Sequence, residues 1–307
     1  MKIGINGTGL VLKASIEAIT EDARSAFKDG FSSYWLAEHP TGGFDALTVL
    51  SVVAQTVPDI ELGTAIVPTL PRHPMAMAGQ ALTTQTATNG RLTLGIGLSH
   101  EVMMAQLGIG FDKPIRHLRE YLSILMPLLE DGKVAFKGET LSCEAEVFKT
   151  AGPRPGVVVA ALGSQALRVA GTRTDGTTLA WVGPKTIAEH IVPTIAAAAE
   201  KAGRVSPRII ATLPICVTNN PAALRSQISR TLAMYGQLPS YRAMFEKEGV
   251  SEPGDLALVG SASEVEDCLI KLMESGVTDY AASVFATSAE EHSQTRELLC
   301  RIGQSLK

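Results

Sequence analysis

The sequence predicts a (β/α)8 barrel, and three observations carry that prediction. Residues Ile60 to His100 read as a strand (Ile60–Pro68), a helix (Pro74–Thr88) and a second strand (Leu92–Leu98). Two apolar strands joined by a crossover helix make a βαβ unit, whose strands run parallel. The same alternation then recurs along the chain until eight strand-like segments are reached. A length of 307 residues suits one α/β barrel better than two smaller domains, so residues 1–307 are expected to form a single barrel domain with insertions.

Each element has a local reason. Lys2–Asn6 is the first strand. Ser15 is placed to cap the next helix, whose apolar stripe is Ile16, Ile19, Ala23, Ala26 and Phe27 and whose stop is Gly30. Tyr34–His39 is the second strand, and Phe44–Thr56 a helix. In the central unit, Pro74 suits a first helical turn, and Asn89-Gly90 ends the helix with a residue that takes a left-handed conformation cheaply. Glu101–Lys113 reads as a loop or short helix, and Pro114–Glu130 as a helix with Leu118, Leu122, Leu125 and Leu129 on one face. Asp131–Pro155 is polar and rich in turn residues, an insertion with a hairpin around Lys137-Gly138. Val157–Leu162, Thr177–Val182, Arg208–Val217 and Thr278–Phe285 complete the strands. The helix from Pro184 should bend at Pro193 and stop at Gly203. A polar helical insertion occupies about residues 234–254. Ser261-x-x-Glu264 and Ser288-x-x-Glu291 are capping boxes.

Composition narrows the function. The net charge is −4 and no Lys/Arg cluster is present, which argues against nucleic acid as the partner. No apolar run reaches membrane-spanning length. The four cysteines are scattered without a C-x-x-C pair, so neither a disulfide framework nor a zinc site is expected, and a reducing cytoplasm is the expected location. Gly4-Ile5-Asn6-Gly7-Thr8-Gly9 imitates a dinucleotide fingerprint. The imitation fails at position 12, which is Leu, and no acidic residue ends a second strand about 20 positions on, Glu38 being too far.

In a barrel of this kind catalytic groups stand at the C-terminal ends of the strands. The candidates there are Asn6, Glu38, His39, Pro68, Ser99, His100, Gly163, Ser164, Trp181 and Val182. Strand alternation places Gly95, Gly97 and Ser99 on one face of Leu92–Leu98. Such a face either admits a ligand to the backbone or makes room for barrel packing.

Ala37-Glu38-His39, the block Leu62-Gly63-Thr64-Ala65-Ile66-Val67-Pro68, Gly95-Ile96-Gly97, Gly163-Ser164 and Ala202-Gly203-Arg204 occur in this order. Together they resemble the bacterial luciferase-like monooxygenase superfamily over about Met1 to Gly303, within it the branch that uses the deazaflavin coenzyme F420. The resemblance implies a flavin-type ring at the C-terminal mouth, a bulged third strand, and a non-proline cis peptide at Ala65–Ile66. By the same resemblance, Thr64, Ala65, Ile66, Gly97, Leu98, Ser99, His100, Leu162, Gly163, Ser164 and Gln165 bind the coenzyme. His39 and Glu38 are the catalytic pair, with His39 bonding the ring or relaying a proton. Strict alternation would send Glu38 and His39 to opposite faces. The helix opening at Gly163-Ser164-Gln165 is an anion site by its free N–H groups. Arg72 and His73 are either contacts for the acidic coenzyme tail or a solvated turn. Trp181, Met103, Met104 and the stretch Tyr235–Tyr241 shape the substrate pocket, with core packing the alternative for Trp181. The implied activity is hydride transfer between F420 and a small organic substrate, in a homodimer without metal. The alternatives are an FMN-dependent monooxygenase and a non-catalytic flavin-binding barrel.

Overall fold

The computed structural model describes residues 1–11, 15–147 and 152–305. Eight parallel strands close on themselves: β1 (Lys2–Asn6), β2 (Ser33–Leu36), β3 (Glu61–Thr64), β4 (Leu92–Gly97), β5 (Gly156–Ala160), β6 (Gly176–Ala180), β7 (Arg208–Thr212) and β8 (Asp279–Val284). Closure is made by β1 against β8, with Lys2 opposite Asp279 and Ile5 opposite Ala282. The architecture is the (β/α)8 barrel that the strand–helix alternation predicts.

Local signals acted where expected. Ser15 Oγ accepts the Ala18 amide at 3.1 Å, and Ser261 with Glu264 forms a complete capping box. The second box is only half made. Ser288 Oγ accepts the Glu291 amide at 3.1 Å, but the Glu291 carboxylate accepts the Thr287 amide instead, at 2.8 Å. Helix Pro114–Glu130 and the hairpin Lys133–Lys137/Ser142–Glu146 also form as read. The part of the Asp131–Pro155 insertion at residues 148–151 lies outside the described residues.

Two strand readings need correction, and one short strand was not read. The second strand ends at Leu36, so Ala37, Glu38 and His39 lie in the loop after it. The seventh is divided: Arg208–Thr212 pairs with β6 and β8, and Pro214–Val217 shifts to pair with Ser283–Val284 and with a three-residue strand, Leu258–Gly260. Pro214 lacks the amide that would continue the ladder. The strand Leu258–Gly260 is too short to leave a periodic signal. In the helix before Gly203, Pro193 is accommodated by a π-turn over Ile187–Ile191, which absorbs the missing backbone bond.

The interior is layered. Trp35, Val158, Ile210 and Ala281 fill the middle of the barrel. Toward the N-terminal end, Arg208 binds Glu61 at 2.8 Å and Asp279 at 2.7 Å, and Thr93 Oγ1 donates to Glu61 at 2.6 Å. Gly7, half of the apparent dinucleotide fingerprint, has a packing role: a Cβ there would meet the Tyr34 hydroxyl oxygen at 1.9 Å. Leu12, on which that fingerprint fails, lies outside the described residues.

Candidate active site at the C-terminal mouth

The third strand supplies the mouth's floor. Gly63 pairs with Thr93, and Val67 with Ile96, so four steps along one strand face three along the other. That is a one-residue bulge, and it falls on Ala65 and Ile66. The Ala65–Ile66 peptide bond is cis. Thr64 repairs the interrupted ladder with its side chain. Its Oγ1 accepts the Gly95 amide and donates to the Gly95 carbonyl, both at 2.8 Å. The Thr64 hydroxyl is therefore spent inside the barrel wall and is fully buried.

The glycine face of β4 has two functions. A Cβ on Gly95 would lie 1.9 Å from the Thr64 carbonyl oxygen, so this glycine serves packing. At Gly97 a Cβ would stand 3.1 Å from Ala160 Cβ and 3.3 Å from Ile66. Ala160, at the end of β5, is exposed although it belongs to a barrel strand, and Ala65 is half-buried on the barrel's inner layer. Ala65, Gly97 and Ala160 thus leave this end of the barrel lined by small residues, with Gly97 buried against Ala160 and Ile66 and Ala160 exposed.

Beside this floor, helix Ser164–Arg173 begins with no side-chain cap at Gly163. Its first intrahelical bond runs from Leu167 N to Gly163 O at 3.0 Å, which leaves the amides of Ser164, Gln165 and Ala166 directed out of the helix start. Such a start favours an anion. Leu162, immediately before it, is held by His190 Nε2, which donates to the Leu162 carbonyl at 2.8 Å from within the π-turn.

Two residues at strand ends have left-handed backbones: Ser99 with φ 62° and Trp181 with φ 57°. This region is uncommon for a non-glycine residue and exceptional for a bulky one. Ser99 Oγ contacts Met103 Sδ at 3.7 Å. His100 lies tilted against Tyr241 and edge-on to Tyr235, at ring separations of 5.8 and 6.1 Å. Burial, and then the charge of nearby His39, hold the His100 imidazole below the usual histidine range. His39 is thus within electrostatic range of His100.

Glu38 points elsewhere. Its carboxylate accepts from Arg72 Nη2 at 3.1 Å and from the Ala46 amide at 3.3 Å, while its own amide donates to the Ile66 carbonyl at 2.9 Å. Burial raises its carboxyl above the ordinary range, against the pull of Arg72. Arg72 also binds Asp45 at 2.8 Å, so its guanidinium is engaged in this cluster. His73 caps helix Pro74–Ala87 through Nδ1, which accepts the Met75 amide at 3.2 Å. Met104 is fully buried in packing, whereas Met103 contacts Ser99. Leu98 is half-buried beside this group.

The structure thus sets Gly97 beside Ala160 and Ile66 at the C-terminal end of the barrel, where helix Ser164–Arg173 also starts, and leaves His39 within electrostatic range of His100. Glu38 instead binds Arg72, and Thr64 the Gly95 backbone. Sequence reasoning missed Ala160, whose exposure at the end of an apolar run no local pattern signals. It also missed His190, whose reach depends on the π-turn.

Comparisons with known proteins agree with this architecture. The model of the luciferase-like monooxygenase family matches residues 4–279, and the chain belongs to that family. A 5,10-methylenetetrahydromethanopterin reductase of Methanolobus tindarius is 26% identical over 270 residues, covering 87% of this chain and 81% of the relative. The structure of a coenzyme F420-dependent tetrahydromethanopterin reductase from Methanopyrus kandleri superposes with a TM-score of 0.82 at 19% identity, covering 99% of this chain and 98% of that one. An EDTA monooxygenase from Chelativorans superposes with a TM-score of 0.83 at 15% identity, covering 100% of this chain and 94% of that one.

Proposed function

We propose that the chain is a coenzyme F420-dependent oxidoreductase that moves a hydride between the deazaflavin and a small organic substrate. One observation carries the reading: the C-terminal end of the barrel is lined by the small residues Ala65, Gly97 and Ala160, and helix Ser164–Arg173 starts at the same end without a side-chain cap. A flat ring needs a floor without side chains, and an anionic tail needs free amides. The residues present fit such a group. The choice of F420 is supported by the reductase relative, aligned over 87% of this chain, and by the likeness to a structure whose name carries that coenzyme.

In this reading Ala65, Ile66, Gly97 and Ala160 support the ring, and Leu98, Ser99 and His100 border it. The amides of Ser164 and Gln165 hold the anionic tail, with Leu162 and Gly163 shaping the turn that His190 steadies. When bound, the coenzyme supplies reversible hydride transfer. The protein's own contribution is positional and protonic. His39 is the catalytic residue, holding or passing a proton at an imidazole nitrogen. Burial, and then the interaction with His39, disfavour the His100 imidazolium. Glu38 is a positioning residue: through Arg72 and Ala46 it fixes the loop that carries His39. The active assembly is a homodimer.

Fluorescence titration of the ligand-free full chain with F420, and in parallel with FMN, tests the reading. Saturable F420 binding with FMN binding at least about tenfold weaker is the expected result. Tight FMN binding alone would move the protein to the flavin monooxygenases, and binding of neither would remove the coenzyme assignment.

A further inference from the structure

The mouth also contains a polar atom with no partner. Trp181, at the end of β6, is 8% exposed, and its indole Nε1 is buried without a hydrogen-bond partner among the described residues. A buried N–H is ordinarily paired, so an unpaired one at a strand's C-terminal end signals a missing acceptor. The backbone of Trp181 is left-handed, a conformation that a large aromatic residue adopts only when its surroundings impose it. The other tryptophan, Trp35, has none of these features: it fills the barrel interior and donates to Ser33 Oγ at 2.8 Å.

What covers Trp181 is loosely attached. Tyr235 lies edge-on against its ring at 5.7 Å and against Tyr241 at 5.1 Å, on a five-residue helix, Ala233–Gln237, none of whose residues is buried. The Tyr235 hydroxyl stands near the indole nitrogen without closing a hydrogen bond. On the same short helix, Met234 is 40% exposed. Aromatic faces and apolar edges thus converge on one unpaired donor, a setting for a flat, apolar molecule that carries a single hydrogen-bond acceptor.

We infer that Trp181 Nε1 is the polar anchor of the substrate site. It donates to a carbonyl oxygen or ring nitrogen of a planar, uncharged substrate held among Trp181, Tyr235, Tyr241 and His100, and Tyr235 gives way to admit it. The inference rests on reading the mouth as the active site, but not on which coenzyme occupies it.

The test uses the ligand-free full chain and two probes: 1-indanone, a planar ketone, and indane, the same skeleton without the oxygen. The chain has two tryptophans, so labelling indole nitrogens with ¹⁵N gives two resonances, which Trp181→Phe assigns. Saturating 1-indanone should move the Trp181 resonance and leave that of Trp35 in place. Trp181→Phe should weaken 1-indanone binding about tenfold, the effect of one neutral hydrogen bond, with indane binding unchanged within about twofold. Tyr235→Phe removes the neighbouring hydroxyl and should tighten 1-indanone by about twofold. A stationary Trp181 resonance, an equal loss for both probes in Trp181→Phe, no 1-indanone binding, or weaker 1-indanone binding in Tyr235→Phe would each overturn the inference. Because no coenzyme is present, these outcomes are independent of the F420 and FMN titrations.

Discussion

The two ends of the barrel are built to opposite specifications. At the N-terminal end, Arg208 bridges the Glu61 and Asp279 carboxylates and Thr93 donates to Glu61, a network that joins four strands. At the C-terminal end the inward positions shrink to Ala65, Gly97 and Ala160, Ser99 and Trp181 sit in left-handed conformations, and an indole N–H has no partner among the described residues. The same eight strands contribute to both. A closed polar network returns its stabilisation to the fold, whereas unfilled volume and unpaired donors are tolerated where a ligand completes them.

The contrast can be broken at either end. The largest effect is expected at the closed end. Arg208→Met leaves the Glu61 and Asp279 carboxylates facing each other without a cation; because Arg208 and Glu61 are only half-buried, the loss is about 2–3 kcal/mol, below that of a fully buried set. Urea unfolding should show that loss, while F420 affinity in the folded protein changes by less than about threefold. An affinity loss as large as the stability loss would mean that the two ends are not separate.

At the open end the order reverses. His39→Ala should lower hydride-transfer rates about 100-fold or more, the usual range for a general acid or base, with F420 affinity unchanged within about threefold. Single turnovers with any alcohol or carbonyl substrate returned by a screen would show it. Gly97→Val should weaken F420 about 100-fold, because its side chain enters the floor beside Ala160 and Ile66. Its stability cost, read from the urea midpoint, should stay near 1–3 kcal/mol. Affinity that survives Gly97→Val would remove the floor from the site.

The smallest effect is a pH dependence. Burial lowers both His100 and His117 in the folded chain, so between their folded values and the ordinary value near 6.5 the unfolded chain binds more protons. Stability from this source is complete above about pH 6.5 and is lost as the pH falls toward the folded values. His100→Gln should therefore flatten the decline in urea midpoint between pH 7.5 and 5.5. An unchanged slope would contradict the burial of this imidazole.

The difference between the ends also sets what the sequence made legible. Elements encoded by neighbours in the chain were readable: the Ser261–Glu264 box, the Ser15 cap and the helix opened by Pro114 each need only a few adjacent residues. The barrel followed from the alternation of apolar strands with helices. Glu61 and Arg208 are 147 positions apart, and no local pattern joins them. The resemblance brought the Ala65–Ile66 region and Gly97 to attention. The direction of Glu38 depends on β2 ending at Leu36, and strand endings are set by tertiary packing more than by residue type. Gly7 and Gly95 show the same limit. Each looked like ligand chemistry, and each is required by a neighbour that the sequence does not place beside it, Tyr34 and the Thr64 carbonyl.

Amide hydrogen exchange with and without saturating F420 tests the division between the two ends most directly. The account predicts slowed exchange at residues 64–66, 97–100 and 162–166, and no change at Glu61, Thr93, Arg208 and Asp279. Protection concentrated at the N-terminal end, or absent from 162–166 while the coenzyme is bound, would contradict it.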